Sequence, residues 1–379
     1  MDRSTRIYLV AGESSGDAHG SVLMRELRSL LPNVEFFGAG GSRMKAIAGG
    51  HFLDWSSEAV VGLWDVLVKY PYFRRQFYRM YEEIRELRPD GVIFIDYPGF
   101  NLRLANRLHQ KRFSGKLIYY ISPQVWAWNR GRIPRMAKLL DLMMCIFPFE
   151  KSLYEASGLR TEFVGHPMVE ELERHRIQEP RDPHLVALMP GSRNREVKRI
   201  FPVMLEAARL LHRRDPAIRF EASAASDSAQ QMMQQMLTGK DDIKISIGNA
   251  AMLMQRATAG MVASGTATLE SSFYRLPFVL VYKVSWLTYI PGRLLIRVNY
   301  LGMPNILAGK EIIPEFIQQD ATAERIADAV WRLYSDERAR TSMVREMDRV
   351  VMMLGEKGAG RRAAEVVVRE LTEDAKGGG

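Results

Sequence analysis

The chain has 379 residues, 47% of them hydrophobic and 26% charged, a balance ordinary for a globular protein with length for roughly two to three domains. Its net charge of +9 favours anionic partners: phosphorylated substrates, nucleic acid or an acidic membrane surface. The single cysteine, Cys145, excludes an intrachain disulfide and a cysteine-built metal cage and fits a reducing cytosol.

No run approaches the ~20 apolar residues that cross a bilayer, and Met1 to Arg6 is too polar to open a signal peptide, so an intracellular protein is expected. Apolar runs of strand length then alternate with helical patterns: Ile7 to Ala11, Glu35 to Gly38, Gly91 to Ile95, Leu117 to Ile121, Leu142 to Phe147 and Glu162 to Val164. This alternation predicts a doubly wound α/β sheet. The polar, proline-bearing stretch from His175 to Pro183 has no apolar period, so the domain boundary is expected there, at 178/179. Strands resume with Leu185 to Leu188, Arg219 to Ala222, Lys244 to Ile247, Gly260 to Ala263 and Phe278 to Val281, predicting a second α/β domain. From Thr322 onward the chain reads as helices, broken at Gly355 and Gly358 before a last helix, and the Lys376 to Gly379 tail is expected to be disordered. Open α/β sheets bind ligands at the carboxyl ends of their strands, so the two domains are expected to hold their ligands in a cleft between them.

The chemistry-bearing residues fall at those strand ends. Ala11-Gly12-Glu13-Ser14-Ser15-Gly16-Asp17 lacks the G-x-G-x-x-G spacing, and its two carboxylates would repel a pyrophosphate, which argues against NAD or FAD. Glu13 and Asp17 suit sugar hydroxyls, although Ser15 or Asp17 can equally cap the helix beginning near Ala18. Asp96, ending a strongly apolar strand, is a candidate general base, with a structural role before Pro98 or at the start of the next helix as the alternative. His19 is a rival base. Ser122-Pro123-Gln124-Val125-Trp126-Ala127-Trp128 places two tryptophans after a strand, to stack on a sugar, line an acyl channel or join the core. Between Gly62 and Tyr81, aromatic residues interleave with Lys69, Arg74, Arg75 and Arg79, which predicts either a membrane-interface face or a core helix with a basic side.

Pro190-Gly191-Ser192-Arg193 and Ser264-Gly265-Thr266-Ala267-Thr268-Leu269-Glu270 each follow an apolar strand and open a helix. Such turns aim unpaired N–H groups at one point, and the helix dipole favours a phosphate there. Arg193 adds a bidentate cation. Glu270, one turn into its helix, can accept from ribose hydroxyls. The pair of turns predicts a nucleoside-diphosphate site; each turn alone can be no more than a tight connection.

Together with Pro148-Phe149-Glu150-Lys151, Gly165-His166-Pro167 and Pro304-Asn305-Ile306-Leu307-Ala308-Gly309, these motifs resemble the lipid-A-disaccharide synthase family, in register over nearly the whole chain. The resemblance implies a GT-B fold: two Rossmann-like domains (residues 1–178 and 179–344), with a C-terminal helix at about 345–375 returning to the first. It implies an inverting transfer of 2,3-diacylglucosamine from UDP to the 6-hydroxyl of 2,3-diacylglucosamine 1-phosphate, giving a β-1,6 link in lipid A biosynthesis. No metal and no cofactor is implied. Asp96 becomes the base and Arg193 a catalytic cation. Gly191, Ser192, Arg193, Ser264, Gly265, Thr266, Glu270 and Asn305 become UDP contacts, and Glu13, Ser14, Asp17, Gln124 and Trp126 substrate contacts. Some family members carry a second acidic residue where this chain has Gly99. The implied location is the cytoplasmic face of the inner membrane, peripherally bound, and a homodimer is admitted. Two other readings compete: a UDP-sugar epimerase of the same architecture, which needs no lipid-facing surface, and a basic nucleic-acid-binding protein, for which no base-reading module is present.

Overall fold

The computed structural model describes residues 4–50, 52–55, 63–286, 289–290, 293 and 298–373, and of 63–69 and 373 the backbone alone. Gly62 and the Lys376 to Gly379 tail lie outside the described residues. Two compact units result, one of residues 1–167 with 354–379, the other of Met168–Met353.

In the first unit seven strands, β1 (Arg6–Ala11), β2 (Glu35–Gly40), β3 (Phe52–Asp54), β4 (Gly91–Ile95), β5 (Lys116–Tyr120), β6 (Leu142–Cys145) and β7 (Thr161–Phe163), form one parallel sheet. Their order is β3-β2-β1-β4-β5-β6-β7. Helices cross over on both faces, so the strands carry apolar side chains on both sides; every residue of β4 is buried. β1 and β4 run level, Ala11 opposite Ile95. The strand order reverses between them, so the loops after β1 and β4 leave in opposite directions and open a crevice at the sheet's carboxyl edge.

The second unit repeats the plan with β8 (Asp182–Met189), β9 (Arg219–Ala224), β10 (Ile243–Ile247), β11 (Ala257–Ala263), β12 (Phe278–Tyr282) and β13 (Glu315–Ile317), ordered β10-β9-β8-β11-β12-β13. This is the strand order of dinucleotide-binding sheets, with its reversal between β8 and β11. Here Val262 stands opposite Met189.

The chain enters the second unit ahead of the polar stretch at 175–183. Helix Met168–Arg174 already belongs to that unit, tied in where the Tyr274 hydroxyl donates to the Leu172 carbonyl at 2.9 Å. The return helix Ala359–Glu373 packs along helix Ser14–Leu30. Its Glu370 is buried and pairs with Arg160 at 2.7 Å and Lys116 at 3.5 Å. Arg362 donates to the carbonyls of Val164, Lys357 and Glu356.

Candidate functional site

At the first crevice the backbone itself is unusual. Asp96 and Tyr97 both take left-handed conformations, with φ of 46° and 50°, which non-glycine residues adopt only when the surroundings impose them. The surroundings do so through the peptide. The Asp96 carbonyl accepts from the Asn101 amide at 2.7 Å and from the buried Tyr119 hydroxyl at 2.5 Å, while the Asp96 N–H donates to the Tyr120 carbonyl at 3.0 Å. Asn101 also reaches the Val10 and Ile95 carbonyls at 3.3 Å, bridging the two strands that flank the crevice. The Tyr97 ring lies over Gly12, where a Cβ would stand 2.1 Å from a ring carbon, so the close approach requires glycine.

The Asp96 carboxyl is thereby left to one side of its own anchorage, half-buried. Burial pushes its pKa up and the charge of Glu13 adds to this, against a hydrogen bond from the Tyr97 backbone. A carboxylate made more basic yet still within reach of solvent is suited to accept a proton from a hydroxyl. Glu13 and Ser14 are exposed beside it at the start of helix Ser14–Leu30, and Gln124 is exposed after β5.

Two expected substrate contacts are elsewhere engaged. Asp17 is buried and accepts the backbone N–H groups of Gly41, Arg43 and Met44 at 2.9, 3.2 and 2.9 Å. It caps helix Ser42–Ala48, a helix distant in sequence from the one it lies in. Trp126 is buried as well, its indole N–H donating to Glu150 at 2.9 Å and its ring edge-on to Phe149. Glu150 is itself completely buried, which raises its pKa to about 7 against hydrogen bonds from Trp126 and the Phe147 backbone. Trp128 alone of the pair is exposed, under the Arg132 guanidinium. The rival base His19 lies in the first helix, and its charge, after burial, helps push the pKa of His166 down to about 3.

At the second crevice Gly191 has φ of 106°, and a Cβ there would stand 2.7 Å from the Glu196 carboxylate and 3.6 Å from the Ala263 methyl. The turn after β8 thus needs glycine and passes close to the end of β11. Ser192 and Arg193 are exposed, and Arg193 pairs with Glu196 at 3.0 Å. Helix Asn194–Arg214 begins immediately after them. Across from it Gly265 is exposed, and Thr266 opens helix Thr266–Phe273. Ser264 and Glu270 are half-buried; burial pushes the Glu270 pKa up, a hydrogen bond from Thr266 opposes this, and Glu171 adds to it. Two helix starts thus lie at one strand-order reversal, the arrangement in which unpaired N–H groups can receive an anion.

Asn305, expected among the nucleotide contacts, has its side chain engaged by the protein itself. It is buried and donates to the Ile313 carbonyl and Glu315 at 2.8 Å, while accepting from the Ile312 and Ile313 N–H groups at 2.8 and 3.0 Å. All of its capacity is used in closing the loop before β13. Asn305→Ala should therefore cost roughly 2 to 4 kcal/mol of stability by orphaning those groups, read as a lowered urea midpoint. An unchanged midpoint would return Asn305 to the ligand.

The aromatic stretch divides along helix Leu63–Leu87. Phe73 and Phe77 pack on the core and Met80 and Tyr81 join it, whereas Tyr70 and Tyr78 are about half exposed, at 54% and 49%. Against helix Pro98–Gln110, which starts one residue after Tyr97, this face leaves an aromatic groove of 450 Å³. Phe100 and Arg103 complete it, and the sequence reading did not single them out. Their spacing of three along a helix following Asp96 was the available signal.

A family model described as lipid-A-disaccharide synthetase matches residues 7–368. The lipid-A-disaccharide synthase of Geobacter metallireducens is 40% identical over 376 residues, 97% of either chain. That of Myxococcus xanthus is 37% identical over 380 residues, 98% of this chain and 99% of the other. Among solved structures, a UDP-GlcNAc 2-epimerase from Neisseria meningitidis bound to UDP-GlcNAc superposes with a TM-score of 0.59 at 8% identity, covering 97% of this chain and all (100%) of that one. The calicheamicin glycosyltransferase CalG4 gives 0.57 at 15% identity, covering 98% and 100%. At such identities the structures speak for the two-sheet GT-B architecture alone. The sequence relatives carry the finer statement, because they match end to end and across both crevices: the chain belongs to the lipid-A-disaccharide synthase family.

Proposed function

We propose that the protein transfers a 2,3-diacylglucosamine unit from UDP to the 6-hydroxyl of 2,3-diacylglucosamine 1-phosphate. The observation that carries this reading is the half-buried Asp96 carboxylate, held in a doubly left-handed turn beside an aromatic groove. Asp96 takes the hydroxyl proton as the oxygen attacks the anomeric carbon on the face opposite UDP. The bond from that carbon to the diphosphate breaks, the configuration inverts to β, and both electrons leave on the diphosphate. Backbone N–H groups at Ser192 and Thr266 and the Arg193 guanidinium receive that charge. Glu270 accepts from the ribose, and Glu13 and Ser14 face the acceptor sugar.

No described helix is long and apolar enough to cross a membrane. Acyl substrates then reach the site from a bilayer surface, and the exposed Tyr70, Tyr78, Arg75 and Arg79 supply a face for reversible contact with anionic lipid. The epimerase reading keeps only the shared fold and does not require the aromatic groove at the Asp96 turn, which suits an acyl chain. Incubating the purified protein with UDP-diacylglucosamine and the monosaccharide phosphate tests the proposal: a disaccharide phosphate of the summed mass, with UDP released, is expected. Epimerised UDP-sugar with no disaccharide would overturn it.

A further inference from the structure

Two arginines line the aromatic groove, Arg74 from helix Leu63–Leu87 and Arg103 from helix Pro98–Gln110. They come from separate parts of the sequence and meet at one cavity. Among the described residues no carboxylate lines it, and neither arginine has an ion pair, hydrogen bond or ring partner. Elsewhere on the same helices Arg85 pairs with Glu82 at 3.1 Å and Arg107 lies over the Tyr81 ring at 5.2 Å, whereas the exposed Arg75 and Arg79, like Arg74, have no such partner among the described residues but do not line the groove. Two guanidinium groups above an apolar floor repel each other, and the described residues offer them no internal anion.

The floor is Phe73, Phe77 and Phe100, with the exposed rings of Tyr70 and Tyr78 along its side. A cavity of 450 Å³ with few polar groups is in the range that holds a small ligand. It takes alkyl chain on its floor and dianion at its rim. We infer that this groove is a subsite for an amphiphilic phosphomonoester, its hydrocarbon laid on the phenylalanines and its phosphate clamped between Arg74 and Arg103. Arginine's planar fork suits both contacts, since each guanidinium can give two parallel hydrogen bonds to one phosphate. The inference deepens the proposed reaction, on which it rests for the identity of the ligand as the phosphorylated acceptor. Tyr97 belongs to the same groove, so a molecule anchored there lies next to the residue that carries Asp96 in the chain.

The experiment measures direct binding, without turnover, by calorimetry on the full chain. Decyl phosphate, decyl glucoside and inorganic phosphate serve as probes below micelle formation. Wild type is expected to hold decyl phosphate at least tenfold tighter than decyl glucoside, and inorganic phosphate weakly. The double variant Arg74→Gln, Arg103→Gln should lose that preference and bind both decyl compounds alike, since a charge-assisted contact is worth about tenfold or more. Phe77→Ser should weaken both equally. A double variant that still prefers the phosphate overturns the inference.

Sedimentation with vesicles of mixed phosphatidylcholine and phosphatidylglycerol separates this ligand from a bilayer headgroup. If the double variant loses vesicle binding but keeps its decyl phosphate affinity, the arginines read the membrane and the subsite is refuted. The inference and the reaction also fail separately. Disaccharide formed with an unchanged KM for phosphorylated acceptor in the double variant sinks the subsite alone; arginine-dependent decyl phosphate binding without any disaccharide sinks the reaction alone.

Discussion

Asp96→Asn is expected to lower turnover by about 10²- to 10⁴-fold while UDP binds as before. The change is isosteric: Asn101 and Tyr119 still hold the residue by its carbonyl, and an asparagine side-chain oxygen can still accept from the Tyr97 backbone. What disappears is the proton acceptor. A base works only when deprotonated, and burial raises the Asp96 pKa, so the wild-type rate should climb with pH through a midpoint above the ordinary carboxylate range. The variant should lack that acid limb. Steady-state rates across pH, with UDP affinity by calorimetry, decide the matter; turnover within a few-fold of wild type removes Asp96 from the mechanism.

Arg193→Ala is expected to weaken UDP by up to roughly 1.5 to 3 kcal/mol and to slow transfer as well, since charge on the diphosphate grows toward the transition state. The binding loss should fall near the lower figure. Arg193 is 70% exposed and already pairs with Glu196, so water and that carboxylate compete with the ligand. The same geometry gives an opposite expectation for Glu196→Gln, which releases the guanidinium and should leave UDP affinity unchanged or improved. Glu270→Ala should weaken uridine and UDP alike, without the extra penalty on the diphosphate. If titrations find Arg193→Ala and Glu270→Ala both binding UDP like wild type, the nucleotide lies elsewhere.

The strand ends were legible because apolar runs such as Gly91 to Ile95 are bounded by turn residues, and both strand-order reversals bring together loops that the sequence had marked. The three-residue strands Phe52–Asp54 and Glu315–Ile317 were not marked in the sequence, although Thr161–Phe163, equally short, was. Polar side chains in loops were the harder problem. Asp17, Trp126 and Asn305 all sit where ligand contacts are expected, yet each is used by a partner that chain order does not place beside it: Gly41 to Met44, Glu150, and Ile312 to Glu315. A residue that ties two loops and one that meets a sugar have the same local signature. Burial separates them, and burial is a tertiary quantity. Arg103 was missed for the converse reason, an ordinary helical arginine until a second helix supplies Arg74.

The return of the last helix to the first unit makes that unit discontinuous, and this bears on how the chain is made. A ribosome releases all of Met168–Met353 as one stretch, so the second unit can close while synthesis continues. The first unit, although translated earliest, has to wait. Until helix Ala359–Glu373 emerges, Arg160 and Lys116 lack Glu370, Gly91 lacks the cover of Leu371, and the face of the first helix around Val22 lacks the backbone of Gly360. Its oldest part is therefore finished by its newest, and a nascent chain cut short before residue 359 leaves an apolar helix face open to aggregation or to a chaperone.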